Sequence, residues 1–311
     1  MTLNELKYLV ELAKEKHFRK ASENCFVSQP TLSIAIKKLE DELNVTLFER
    51  RKNDVLITPI GQQVVDLAEE IIQKTKTIKQ ITQDEQSQTT ELKLGAIYTI
   101  GPYLLPHLIS EFHQKAQNIR LSIEENYTHE LAKKLHSGEL DIIIVSLPFS
   151  EPNTEVFPLY EENFVVAMPK DHPLAKRDKI ALEEVHNETV LLLGAGHCFR
   201  DQVVEAYPSL MHLNYQSNPL QKTLEGSSLE TIRYMVASGA GITVLPCTAC
   251  QKQDDLLVYK PLKDPVAKRE VVMAWRKSFP RHKVLQTFKE TLHGIELPCT
   301  LKPDLKEEET P

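Results

Sequence analysis

The chain has 311 residues, 41% of them hydrophobic, which is enough for two or three compact units with real cores. No run approaches the apolar length of a membrane span and the opening Met-Thr-Leu-Asn-Glu is no signal peptide, so a cytoplasmic protein without a membrane partner is expected. The net charge of −7 does not exclude nucleic acid, because residues 1–60 carry ten Lys/Arg against nine Asp/Glu while the acidic excess lies in the rest.

Residues 2–16 place Leu3, Leu6, Leu9, Val10 and Ala13 at helical spacing, and a second short helix fits Arg19 to Asn24. In Phe26-Val27-Ser28-Gln29-Pro30-Thr31-Leu32-Ser33, Ser28 suits an N-cap and Pro30 a first helical turn. The helix that follows reaches about Glu42, burying Leu32, Ala35, Ile36 and Leu39 and exposing Ser33, Lys37 and Lys38. Two helices around a tight turn, the second with a polar and basic outer face, form a helix-turn-helix pattern; a small helical domain with merely solvated lysines is the alternative. Leu47 to Lys52 and Val55 to Thr58 read as a hairpin wing with basic residues on its flank.

Ala21-Ser22, Val27 to Ser33, Lys38-Leu39-Glu40, Leu47-Phe48-Glu49-Arg50 and Thr58-Pro59-Ile60-Gly61 together resemble the winged helix-turn-helix of LysR-type transcriptional regulators. The resemblance implies that Ser28, Gln29, Pro30, Thr31 and Ser33 face the major groove of promoter DNA, with Lys37, Arg50 and Arg51 near phosphates.

From Pro59 to about Asp84, Val64, Leu67, Ile71, Ile78 and Ile81 follow coiled-coil steps, interrupted at Lys74. This reads as a dimerisation seam or as a helix packed on its own domain. The segment 84–90 has no apolar residue and reads as a hinge.

Beyond it, strand candidates (Leu92–Ile97, Arg120–Glu124, Asp141–Ser146, Phe164–Met168, Thr189–Leu193, Gly241–Leu245, Glu270–Trp275) alternate with helix candidates (Pro102–Lys115, His129–His136, Arg200–Tyr207, Leu229–Ser238, Arg281–His293). Such alternation favours an α/β body with a largely parallel sheet, two subdomains and a cleft. It resembles the periplasmic-binding-protein-like effector domain of the same regulators. The expected organisation is a winged helix-turn-helix over 1–58, a linker helix and hinge over 59–90, an effector domain over 91–297 and a disordered tail over 298–311.

Five cysteines, at 25, 198, 247, 250 and 299, are too few and too irregular for a disulfide framework. Cys198 stands in Gly194-Ala195-Gly196-His197-Cys198-Phe199-Arg200-Asp201-Gln202, at the start of a helix beside an imidazole and a guanidinium. That setting stabilises a thiolate, the form that reacts with peroxides; the alternative is an inert thiol. Cys247 and Cys250 form a Cys-x-x-Cys that serves packing, a redox pair or half of a metal site. Cys25 and Cys299 carry no expected role.

Tyr98 to Pro106, Tyr127 to Leu131, Gly196 to Gln202 and Ser228 to Arg233 resemble the peroxide-sensing OxyR branch of that family. This implies a peroxidatic Cys198, hydroxyls from Thr99 and Thr128 in the peroxide pocket, and a field shaped by His197, Arg200 and Asp201. The branch usually places a resolving cysteine nine residues after the peroxidatic one, where this chain has Tyr207. A stable sulfenic acid or mixed disulfide, a disulfide with a distant thiol such as Cys247 or Cys250, or loss of switching are then the open outcomes. The implied protein is a non-enzymatic regulator, a homodimer or homotetramer that responds to hydrogen peroxide. Its partners are promoter DNA and RNA polymerase, and it has no metal or cofactor. A regulator sensing a small metabolite or growth state is the alternative, and a thiol peroxidase leaves the first ninety residues unexplained.

Overall fold

The computed structural model describes residues 1–50, 55–84, 90–185, 188–208, 228–250, 254–263 and 267–303. They divide into two units, residues 1–87 and 88–311.

In the first unit, α1 (Leu3–Glu15) opens with a capping box in which Thr2 and Glu5 satisfy each other's backbone N–H. After α2 (Phe18–Asn24) comes α3 (Gln29–Leu43), and a core of Leu6, Leu9, Leu12, Ala21, Leu32, Ile36 and Leu39 holds the three together. Ala35 is half-buried, at the margin of this core. The wing is the antiparallel pair β1 (Phe48–Arg50) and β2 (Val55–Ile57). Arg51 and the rest of its tip lie outside the described residues, and of Arg50 only the backbone is described.

Helix α4 (Pro59–Asp84) begins hard against the wing: a Cβ on Gly61 would lie 2.3 Å from the Leu47 carbonyl oxygen. Its apolar residues form two stripes. Val65 and Ala68, flanked by Val64 and Ile72, pack into the domain core, while Leu67, Ile71 and Ile78 are exposed. Both readings of its periodicity therefore have residues of their own.

In the second unit, β3 (Thr90–Ile97), α5 (Gly101–Lys115), β4 (Ile119–Asn126), α6 (Thr128–Ser137) and β5 (Ile142–Ser146) build a right flank of parallel pairs, β4–β3–β5. A long β6 (Thr154–Pro169) follows, then a short α7 (Leu182–Val185), β7 (Val190–Leu191) and α8 (Cys198–Ala206). After residue 228 come α9 (Leu229–Ala237), β8 (Ile242–Pro246), β9 (Leu257–Pro261), β10 (Lys268–Arg276), α10 (His282–Gly294) and β11 (Thr300–Leu301).

The strand order is β4-β3-β5-β10-β6-β8-β7, with β9 and β11 also on β6. The sheet is mixed, not largely parallel, because β6 and β10 run antiparallel to their partners and carry the chain across the middle. The alternation of apolar runs detects strands but not their direction, which the return crossings decide.

Two cores result. Leu94, Leu108, Phe112, Ile143, Met273 and Phe288 belong to one, and Phe164, Val166, Leu191, Phe199, Val203 and Ile232 to the other. Strand β6 serves both, with Tyr160 in the first and Phe164 in the second, and the polar Glu161 and Glu162 mark the crossing. The expected tail starts too early: residues 300–301 form β11, paired antiparallel with Glu162 and Glu161. Residues 304–311 lie outside the described residues.

Candidate functional site: a thiol at an uncapped helix start

Three loops meet where the sequence singled out its cysteine. Cys198 is the first residue of α8, and the preceding His197 provides no side-chain cap; only its backbone carbonyl meets this turn, accepting from the Arg200 N–H at 3.0 Å. Gly196 makes the turn with φ +96°, and a Cβ there would stand 3.4 Å from the Tyr127 ring, so the loop packs flat on that tyrosine. Ile97, Tyr98 and Thr99 at the end of β3, with Asn126, Tyr127 and Thr128 after β4, complete a water-sized pocket around Gly196, His197 and Cys198. It opens at the carboxyl ends of parallel strands, the usual place for a ligand in such sheets.

The polar groups of this pocket are oriented. Gln202, one turn along α8, donates its amide N–H to the Leu147 carbonyl at 2.7 Å and to Ser146 Oγ at 3.0 Å. The same Ser146 hydroxyl stands 3.5 Å from Cys198 Sγ, a pair in which either group can donate. Thr99 is buried and is held by Arg269, whose Nη1 donates to Thr99 Oγ1 at 2.9 Å and whose Nη2 donates to the Thr99 carbonyl at 2.8 Å. The Thr99 hydroxyl, whose oxygen accepts from Arg269, keeps its own proton to donate. Thr128 Oγ1 and His197 Nε2 are buried and have no hydrogen-bond partner. Such atoms are costly to leave unmet and suit a small polar guest.

Arg269 is itself buried and paired with Glu162, Nε to Oε1 at 2.7 Å, with both side chains fully enclosed. Thr248 donates its N–H and its hydroxyl to the other Glu162 oxygen, and the Arg269 guanidinium lies 5.0 Å from the centre of the Phe199 ring. The pocket floor thereby rests on a charge pair whose remaining donors and acceptors are met.

The expected field around Cys198 changes in one respect. Burial holds the His197 imidazole below its ordinary range, with the Asp201 charge pulling the other way, so His197 acts as a neutral ring. Its packing agrees, in edge contact with Tyr127 at 4.9 Å and Tyr98 at 6.0 Å. Arg200 leans toward the exposed Asp201 at 3.5 Å, and neither lines the pocket. The guanidinium beneath the site is Arg269, which sequence reading missed because it lies at the start of β10, 71 residues later. Ser146 was within reach, as the carboxyl end of an expected strand. No described helix is long and apolar enough to cross a membrane, and no cluster of metal-ligating side chains converges among the described residues.

The sequence comparisons bear on the whole chain. Residues 3–62 match the bacterial regulatory helix-turn-helix protein model of the lysR family, and residues 85–294 match the LysR substrate binding domain. The chain belongs to the LysR family. Among its relatives there, the DNA-binding transcriptional dual regulator OxyR of Escherichia coli K12 is 39% identical over 90% of this chain and 91% of its own. A full-length OxyR variant from Pseudomonas aeruginosa shares 45% identity and a TM-score of 0.68, over 95% of this chain and 99% of that one. A hydrogen peroxide-bound OxyR variant from Corynebacterium glutamicum is 30% identical with a TM-score of 0.57, over 94% of this chain and 91% of that one.

In this LysR-family chain, position 207 holds a tyrosine built into the second core. Tyr207 is buried, and its hydroxyl accepts from the Ala267 N–H at 3.0 Å. The two thiols considered as substitutes are differently engaged. Cys247 is in a disulfide with Cys299, and burial pushes the Cys250 thiol up to about 12, which keeps it protonated. Neither stands as a free, reactive partner for Cys198, and Cys299, read as having no role, is a bonded residue. Cys25 in the first unit is half-buried, and its thiol is also raised by burial and by Glu11.

On the helix-turn-helix, Ser28, Gln29, Pro30, Thr31 and Lys37 are exposed and Ser33 is half-buried. Ser28 caps α3, accepting from the Thr31 N–H at 3.3 Å, and its hydroxyl is 2.8 Å from that of Thr31. These two hydroxyls are shared with each other, leaving Gln29 as the freer hydrogen-bonding side chain at the helix start.

Proposed function

We propose that the chain is a promoter-binding transcriptional regulator that responds to hydrogen peroxide through oxidation of Cys198. The observation that carries this reading is the small pocket in which the Ser146 hydroxyl stands 3.5 Å from the sulfur while Thr128 Oγ1 and His197 Nε2 lack partners. The names of the relatives support it, since several are described as hydrogen peroxide-inducible genes activators. So does the small size of the pocket, which leaves no room beside Cys198 for a bulky guest.

In this reading the Cys198 thiolate attacks one peroxide oxygen. The S–O bond forms as O–O breaks, and the departing hydroxide takes up a proton to leave as water. Thr99 and Thr128 steady the two oxygens, and the positive end of the α8 dipole lies beside the developing negative charge. With Tyr207 at the usual resolving position, the product is a sulfenic acid that persists or is capped by a small thiol. Arg200 and Asp201 act from the rim of the pocket, by charge alone.

DNA is held through α3, with Gln29 at base edges, Ser28, Pro30, Thr31 and Ser33 shaping the approach, and Lys37, Arg50 and Arg51 on phosphates. The exposed stripe Leu67, Ile71 and Ile78 supports a homodimer through α4, and assembly into a homotetramer and contact with RNA polymerase follow in the same reading. The chain works in the cytoplasm and turns over no substrate.

The test is Cys198→Ser. That variant keeps operator binding and loses the peroxide-dependent change in footprint and transcription. Its intact mass no longer gains the oxygen that the parent gains from stoichiometric peroxide. An unchanged response in the variant would remove Cys198 from the mechanism.

A further inference from the structure

The second sulfur pair lies at the seam of the effector unit. Cys247 opens the short turn Cys247–Ala249 that follows β8, on the second core. Cys299 precedes β11, just beyond Ile295 and Leu297 of the first core. Their Cα atoms are 6.2 Å apart, within the range that a disulfide spans. The bond therefore staples the end of one subdomain to a turn of the other.

Three observations make this pair more than a structural clip. Cys247 is buried whereas Cys299 is an exposed residue, so the pair has one anchored end and one end at the surface. The Cys299 carbonyl oxygen lies 3.0 Å from Cys247 Sγ, an acceptor close to the sulfur that carries a proton in the reduced pair. Each cysteine is followed by a threonine that engages Glu162. Thr248 donates to its carboxylate, and Thr300 pairs with its backbone in the β11–β6 ladder. Glu162 in turn holds Arg269, which holds Thr99.

We propose that Cys247 and Cys299 are a second, reversible redox site of this chain, independent of Cys198, which fastens the C-terminal segment onto Glu162 when oxidised. The oxidant class is a hydroperoxide. The exposed Cys299 thiolate attacks one peroxide oxygen, forming S–O and breaking O–O, and the leaving hydroxide is protonated to water. The Cys247 sulfur then displaces the sulfenic oxygen as a second water, so two thiols and one peroxide become one disulfide and two waters. A dithiol reverses the step by attacking the exposed Cys299 sulfur through a mixed disulfide and is itself oxidised to its disulfide. This chemistry fits a reducing compartment, where the pair opens and closes with the supply of oxidant.

The experiment uses the full chain carrying Cys198→Ser, so its outcome does not depend on the Cys198 reading. The chain is reduced with dithiothreitol, exposed to stoichiometric hydrogen peroxide, alkylated and mapped. The expected product has lost two hydrogens and yields one cross-linked peptide pair joining 247 to 299, which dithiothreitol reopens under native conditions. Amide exchange over 295–303 slows on closure, and in the added Cys299→Ser variant it stays at the reduced rate with or without peroxide. Recovery of 247 and 299 both alkylated after peroxide overturns the proposal. So does a linkage that the native chain never releases to the dithiol.

Discussion

Helices α3 and α8 both begin at a tight turn with a polar loop before them, yet their first turns are finished in opposite ways. Ser28 closes α3 with its own hydroxyl, and the residues behind it are exposed. His197 gives α8 no such cap, its ring is turned into an aromatic cluster with Tyr98 and Tyr127, and a thiol takes the first position. A capped start leaves a stable outward face that recognises through side chains. A start without a side-chain cap leaves the positive end of the helix dipole to whatever charge appears beside it.

The sharpest way to break this contrast lies beneath the uncapped site. Replacing Arg269 with Met strands the Glu162 charge in a dry seam and is expected to cost about 3–5 kcal/mol in urea unfolding. Adding Glu162→Met should return much of that loss. Stability unchanged by the single substitution would show that the pair does not support the pocket floor.

Ser146→Ala removes the hydroxyl paired with the sulfur and leaves Gln202 one acceptor short. Oxidation of Cys198 by peroxide, followed by intact mass over time, should slow by roughly tenfold, the worth of one directed hydrogen bond. DNA affinity of the reduced chain should not move. An equal rate would mean that the helix start alone activates the thiol.

At the capped start, Ser28→Ala should lower the stability of the first unit by about 1 kcal/mol and weaken operator binding. Peroxide reactivity of Cys198 should be the same as in the parent.

The smallest effect is a pH dependence from His197. Its folded value lies below the unfolded 6.5 because burial disfavours the charged ring, so the unfolded chain binds the proton first. Stability is unaffected above that pH and falls as pH drops below it, by at most about 1.4 kcal/mol per pH unit. His197→Gln should flatten that part of the urea-midpoint profile, and a profile identical to the parent's would contradict a buried neutral ring.

Much of the architecture was legible because local chemistry wrote it. The α4 span from Pro59 to Asp84, the Ser28 cap and the helix over α5 follow from spacing and capping residues that act within a few positions. The pocket was legible in part. Thr99, Thr128, His197 and Cys198 stood out by motif, whereas Ser146, Gln202 and Arg269 owe their roles to strands and turns brought together from distant segments. Strand direction was not readable at β6 and β10, because an apolar run looks the same whichever way it is paired.

By itself the sequence determined the helix-turn-helix, the linker helix, the alternating body and a cysteine at a helix start, since each depends on neighbours in the chain. Tertiary structure decided which cation serves the site, that the histidine is neutral, and where the sulfurs meet. Burial and pairing across 52 or 107 residues join Cys247 to Cys299 and Glu162 to Arg269. No local pattern encodes such contacts, because they exist only once the strands between them have been laid into one sheet.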